Sequence, residues 1–249
     1  MIELIGLYKS FKGQNVLKGA DLLIPTGKIV TVVGKSGCGK SVLVKHIMGL
    51  LRPDAGQVLI DGIDITKLGL AELDRIREKL GVLFQGGALF DSMTVAENVA
   101  FPLKEKTNMK KAEIQDRVMR ALEDVGLGDR GSKFPEELSG GMKKRAALAR
   151  ALIKEPSLVI FDEPTTGLDP VITSSIHKLI KTTHDKYGFT AVIISHEVPG
   201  IFGIVDKVAV LHNGIIEEAG TPDEISNSIN PVVKQFITGS LEGPIDIIS

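Results

Sequence analysis

Cysteine is nearly absent from this chain of 249 residues: Cys38 stands alone, so no intrachain disulfide can form. Long apolar runs are missing too, and the longest stretches are strand-sized, far short of a bilayer span. Neither sign of charge is in excess, since 30 Lys and Arg face 31 Asp and Glu, and nothing supports a general polyanion binder. There is no repeat of solenoid length, no low-complexity linker and no legible signal peptide. What remains is a chain with 43% hydrophobic residues, enough for a substantial core in one large domain or two small ones. The expectation is a soluble, cytosolic protein that would serve a membrane only by docking on a partner that crosses it.

The most informative stretch is Leu138–Pro170, LSGGMKKRAALARALIKEPSLVIFDEPTTGLDP. Ser139 is a favoured N-cap, and Gly140 and Gly141 open an apolar-striped helical run ending at Pro156. Glycines at a helix start let an anion approach bare N–H groups, where the helix dipole favours it. Ser157–Phe161 then has the pattern of a strand buried on both faces, with Asp162 and Glu163 at its end. A phosphate-sized anion site thus lies next in sequence to two carboxylates at a strand terminus. An ordinary helix–strand unit with a solvated acidic end is the alternative, and a second phosphate motif upstream counts against it.

That motif is Gly34-Lys35-Ser36-Gly37-Cys38-Gly39-Lys40-Ser41, which fits GxxxxGKS between the strand Ile29–Val33 and the helical run Val42–Leu51. Strand, loop and helix in this order are what a P-loop requires. Its glycines let backbone N–H groups wrap phosphates. Lys40 is placed to reach the β- and γ-phosphates and the Ser41 hydroxyl to ligate Mg²⁺. Cys38 fills a variable position, as a small filler.

LSGG, a strand ending in DE, GLDP and the P-loop together resemble the ATP-binding-cassette (ABC) ATPases over nearly the whole chain. The resemblance implies an α/β fold: a P-loop NTPase with a RecA-like core, an antiparallel β subdomain and an inserted α-helical subdomain. Residues 1–85 and 157–229 would form the catalytic core with the β subdomain, 86–156 the helical subdomain, and 230–249 a C-terminal tail. It also assigns roles. Phe11, in the loop KSFKGQNV, would stack on adenine with Val16 packed nearby; many relatives carry Tyr there. The nucleotide would be held by Gly34–Val42, with Val42 opening the helix after the loop, and by Ser139, Gly140, Gly141 and Asp169. Gln85, after the strand Gly81–Phe84, matches the Q-loop, where it contacts Mg²⁺ or the attacking water. Asp162 would hold Mg²⁺, Glu163 would be the general base, and His196, after the strand Thr190–Ser195, the switch histidine at the γ-phosphate. Met142 replaces the more frequent Gln of LSGGQ, which leaves the Ser and both glycines in place.

Elsewhere the pattern is coarser. Residues 1–30 alternate as antiparallel strands. Residues 53–66 look like a hairpin with Gly56 and Gly62 at turns, and Leu70–Lys79 like a short charged helix. Gly86–Leu103 is unusually apolar; in ABC transporters this region helps form the groove for a permease helix, with Phe90, Met93, Val95 and Phe101 as candidates here, and packing inside the helical subdomain is equally open for each of them. Met109–Val125 shows an apolar helical stripe with a solvated charged face. His46, His177, His184 and His212 have no motif context and read as structural or solvent-facing. Val208–Leu211 and Gly214–Glu217 suggest a last hairpin, and Thr221 starts a closing helix. The tail from Asn230 carries Pro231 and Pro244; packing on a neighbour and a flexible end are both open.

Each nucleotide motif occurs once. Since ABC cassettes pair head to tail, with each ATP between one P-loop and the other subunit's signature, the resemblance implies a homodimer with Asp169 at its seam. LSGGM with its basic run, LFQGGALFDSMTVAENVAFPL (Leu83–Leu103), ISHEVP (Ile194–Pro199) and VKQFITGSLEGP (Val233–Pro244) resemble the Mla-type lipid-transport ATPases. Those work on the cytoplasmic face of the inner membrane with a permease dimer, an MCE-domain lipid-binding protein and, in some systems, a small STAS-type subunit, and with no nucleic acid. An importer of amino acids or other small solutes is the same-chemistry alternative. A soluble ABC ATPase acting on DNA or ribosomes would usually bring coiled-coil insertions or two cassettes, neither of which is present. An inactive binding module conflicts with the full set Lys40, Ser41, Gln85, Asp162, Glu163 and His196.

Overall fold

The computed structural model describes residues 1–246. In chain order its elements are β1 (Ile2–Phe11), β2 (Gln14–Ile24), β3 (Ile29–Val33), α1 (Lys40–Ile47), β4 (Ala55–Ile60), β5 (Ile63–Asp64), α2 (Leu70–Arg77) and β6 (Leu80–Leu83). There follow α3 (Val95–Lys106), α4 (Lys111–Asp124), α5 (Gly140–Leu152), β7 (Leu158–Asp162), α6 (Pro170–Tyr187), β8 (Thr190–Ser195), β9 (Lys207–His212), β10 (Ile215–Gly220), α7 (Pro222–Ser226) and α8 (Pro231–Thr238). They pack as two compact units, one made of Met1–Glu78 with the chain from Thr190 onward, the other of Lys79–Phe189. Among the described residues no helix is long and apolar enough to cross a membrane.

The first unit holds an antiparallel sheet in the order β2-β1-β4-β5. Ile2, Leu4 and Leu7 of β1 and Leu17, Ala20, Leu22 and Ile24 of β2 are buried, the alternation of a half-covered sheet offset by one residue where the β1–β2 register shifts. Gly56 is not at a turn as predicted. It lies inside β4, where a Cβ would come within 2.2 Å of the Gly6 carbonyl oxygen, so its bare Cα admits the irregular register between β1 and β4. The same unit carries β3, parallel to both β8 and β9, with β10 antiparallel on β9. Every residue of β3 and β8 is buried, as strands covered on both faces must be. Thr31 is tolerated there because its hydroxyl donates to the Ile193 carbonyl at 3.0 Å.

In the second unit β6 and β7 run parallel, Leu80 beside Leu158 through Leu83 beside Phe161. Gly81 gives the Ala151 carbonyl room, since a Cβ would stand 2.5 Å from it. The stripe Ile114, Val118, Leu122 of α4 is buried, and Arg145 of α5 ties the Val125 carbonyl to the Ser175 hydroxyl of α6, each at 2.7 Å. Phe189 packs on Phe161 and edge-on against His184, with ring centroids 6.3 and 5.3 Å apart. Val95 is fully buried and so cannot line an external groove. Phe90 remains exposed and tilts against Phe101 at 4.9 Å.

Candidate functional site

In the first unit, parallel pairing decides what leaves the sheet together. Val33 pairs with Ser195 and also with Val210, so Gly34 and His196 emerge from neighbouring strand ends, the edge where open α/β sheets bind ligands. Gly34 has no room for a side chain: a Cβ would sit 2.2 Å from the Leu211 carbonyl oxygen and 2.8 Å from Cys38 Sγ. Val16 and Leu17 press on the loop from β2, within 3.3 Å of a Cβ built at Gly39. Gly37 faces open space with φ at +78°. α1 begins at Lys40 behind Gly39 with no side-chain cap, which leaves its first-turn N–H groups to an anion. Lys40 is buried, and its ammonium donates to the Gly34 carbonyl at 2.7 Å and the Lys35 carbonyl at 3.0 Å.

An uncapped helix start, bare glycines and a buried ammonium fit a nucleotide triphosphate. A cleft of about 380 Å³ opens beside this loop, lined by Lys35–Cys38, Gln14, His212, Asn213 and the tail residues Pro244–Asp246. The tail is folded back by Gln235, whose amide accepts from the Ile245 N–H at 2.6 Å and donates to the Ile245 carbonyl at 3.2 Å. Lys35 donates to the Asp246 carbonyl at 2.8 Å. Phe11 ends β1, paired with Gln14, rather than lying in the following loop, and its exposed ring has the Lys9 ammonium 5.6 Å from its centroid. Burial raises the Cys38 thiol above its usual range, with Lys40 opposing. Of the four histidines without a motif, His46, His177 and His184 are buried.

In the second unit the β6–β7 register brings Gln85 and the pair Asp162–Glu163 out at one end. Asp162 is the last residue of β7, and Glu163 takes φ of +49°, a left-handed backbone that L side chains rarely adopt. The Thr166 hydroxyl donates to Glu163 Oε2 at 3.0 Å. Two buried polar residues of this unit are not singled out by the sequence. Lys144 is buried in α5, and its ammonium donates to the carbonyls of Gln85 and Glu163. Burial lowers its pKa, with the charges of Glu163 and Asp162 opposing. Its signal was the helical period: Gly141, Lys144, Leu148 and Leu152 share one buried face. Asn98, also buried, accepts from the Phe90 N–H at 2.8 Å and donates to the carbonyls of Phe90, Met93 and Thr94, which fixes the apolar loop before α3.

The Ser139 hydroxyl accepts from the Met142 N–H at 3.3 Å, capping α5. Gly140 lies against Leu168 and Gly141 against Ile172, where a Cβ would come within 3.2 and 2.7 Å. Asp169, exposed at the start of α6, accepts from the N–H groups of Val171 and Ile172, both at 3.0 Å. The signature residues and Asp169 therefore share one corner, built on two capped helix starts.

Residues 17–166 match the family model described as ABC transporter. The chain is 45% identical over 244 residues to the "Probable ribonucleotide transport ATP-binding protein mkl" of Mycobacterium leprae, covering 98% of this chain and 70% of that protein. It is 43% identical over 241 residues to the "Methionine import ATP-binding protein MetN" of Carboxydothermus hydrogenoformans, covering 95% and 71%. It is 40% identical over 230 residues to the "Intermembrane phospholipid transport system ATP-binding protein MlaF" of Escherichia coli K12, covering 92% and 86%. Among solved structures, the dimeric post-hydrolysis state of the ATP-binding cassette MJ0796, bound to ADP and Pi, has a TM-score of 0.81 at 32% identity, covering 89% of this chain and 99% of that one. The cbiO1 protein of Clostridium perfringens has a TM-score of 0.85 at 31% identity, covering 96% and 95%. The chain belongs to the ABC transporter family, and within it to the ATP-binding cassettes. It is an ATPase subunit of such a transporter.

Proposed function

We propose that this ATPase energises lipid transport through a membrane-embedded permease, working as a head-to-tail pair. In each pair the P-loop of one copy and Ser139–Gly141 of the other hold one ATP. The Gly34–Val42 backbone and Lys40 bind the phosphates, and Phe11 and Val16 receive the adenine. Glu163 takes the proton of a water that attacks the γ-phosphate in line, while Gln85 and His196 orient that water and Asp169 supports the seam. Bases of this kind contribute roughly 10²–10⁴-fold in rate; the rest is positioning and charge neutralisation. The oxygen donors Ser41, Gln85 and Asp162 suit Mg²⁺, which neutralises phosphate charge when bound. The dimeric ADP-bound cassette supports the pairing.

The lipid reading rests on one observation: the run Leu83–Leu103 and the tail Val233–Pro244 resemble the Mla type, and a relative named for intermembrane phospholipid transport covers 92% of the chain. On this reading the chain sits on the cytoplasmic face of the inner membrane with a permease dimer and an MCE-domain partner, joined in some such systems by a small STAS-type subunit. A small-solute importer is the second reading, favoured by the methionine-import relative at 43% identity. Reconstitution with its membrane-embedded permease separates the two. ATP-dependent movement of a labelled phospholipid is expected; stimulation by methionine with no lipid movement would overturn the lipid reading.

A further inference from the structure

The basic run Lys143-Lys144-Arg145 of α5 does not act as one surface patch. Lys144 turns inward and is buried. Its ammonium donates to the Gln85 carbonyl and, at 3.4 Å, to the Glu163 carbonyl. These residues lie just beyond the ends of two strands, β6 and β7, which run parallel side by side up to Leu83 and Phe161. Further along the same helix, Arg150 donates to the carbonyls of Gly87 and Ala88 at 2.8 and 2.7 Å. The signature helix therefore grips the segment after β6 at two points, and of these two side chains it is Lys144 that also reaches across to the residue after β7.

We propose that Lys144 is a positioning residue for hydrolysis: its buried ammonium ties the Q-loop backbone to the backbone of the general base, so that Gln85 and Glu163 face the attacking water in fixed register. The Glu163 backbone needs such a restraint. Its φ of +49° is costly for a residue with a side chain and persists only where surrounding bonds hold it. A fixed cation between two carbonyls does this, and it links the helix that Ser139 caps to the residue whose carboxylate acts on the water. Lys144 touches no reacting atom; it acts through the two residues it joins. The inference rests on the assignment of Gln85 and Glu163 to catalysis.

The test compares steady-state ATP hydrolysis by the full chain carrying Lys144→Met, Lys144→Arg or Glu163→Gln. Misplacement of a catalytic group by about 1 Å costs on the order of 100-fold in rate. Lys144→Met, near-isosteric without a donor, is expected to lower kcat roughly 10- to 100-fold and to leave KM and ATP affinity within about threefold. Lys144→Arg, which keeps charge and donors, is expected to recover most of kcat. Should Lys144→Met not fold, Lys144→Gln takes its place, because its amide still donates but ends one bond short of the second carbonyl. A kcat for the Met or Gln variant within twofold of the parent would overturn the inference. So would an equal loss of kcat and ATP affinity, the mark of a merely structural lysine. Glu163→Gln separates the two levels. If it hydrolyses ATP at the parental rate, the base assignment itself fails and the inference falls with it. If it is inactive while Lys144→Met is not, only the tether fails.

Discussion

Replacing Gly34 by Ala tests whether the P-loop is shaped by the strand beside it. The new Cβ would lie 2.2 Å from the Leu211 carbonyl oxygen and 2.8 Å from Cys38 Sγ, both inside the 3.0 Å that real Cβ contacts essentially never breach. The first obstacle is backbone of β9, which pairs with β3 through Val33 and Val210, so it cannot swing aside as a side chain would. Relief requires moving either the strand or the loop. Overpacking of this kind costs about 3 kcal/mol. For a chain of this size that is a fall of roughly 6–12 °C in thermal midpoint. A loop displaced by about 1 Å would also lower hydrolysis on the order of 100-fold. Gly37→Ala is the matched control. Nothing lies within 4 Å of its Cβ, and only its φ of +78° resists substitution. The expected cost is about 1 kcal/mol, a midpoint lower by about 2–4 °C. Thermal unfolding and ATPase rates of both variants decide the matter. Equal losses for the two, or a Gly34→Ala protein with parental midpoint and rate, would refute the steric reasoning.

Thr166→Val removes the hydroxyl that donates to Glu163 Oε2; kcat is expected to fall about tenfold with ATP affinity unchanged, and Thr166→Ser to restore it. Burial holds the His46 imidazole below its ordinary pKa, with Lys9 pushing the same way and the Val42 carbonyl and Asp54 pulling against it. The unfolded chain therefore binds that proton more tightly. The stabilisation is complete above the unfolded pKa near 6.5 and is lost as pH falls through the folded value, at a slope of at most about 1.4 kcal/mol per pH unit. Urea midpoints at neutral and mildly acid pH should diverge more for the parent than for His46→Gln; equal divergence would remove His46 from the account.

Much of this architecture can be read from the chain because local chemistry and tertiary role coincide. Ile29–Val33 and Thr190–Ser195 are apolar throughout and are buried throughout. Ser139 and Asp169 precede helical runs and cap them. Legibility fails where a residue's neighbour is remote in sequence. Gly56 looks like a turn glycine, yet serves a strand that needs the Gly6 carbonyl close by. Val95 sits in an apolar run that resembles a docking surface, but helix packing takes it into the core. Lys144 reads as one charge in a basic run, and its buried face shows only when the period from Gly141 to Leu152 is traced. The two glycines of the signature also serve the chain's own packing: Gly141 gives way to Ile172, a use that an anion-binding motif does not announce.

The pairing of two copies around each nucleotide is tested most directly by sedimentation of the Glu163→Gln chain with saturating ATP and magnesium. A dimer is expected that dissociates when Ser139→Arg is added, with ATP affinity of the monomer retained. A chain that stays monomeric while it binds and traps ATP, or whose monomer loses ATP once Ser139 is replaced, would contradict the shared pocket.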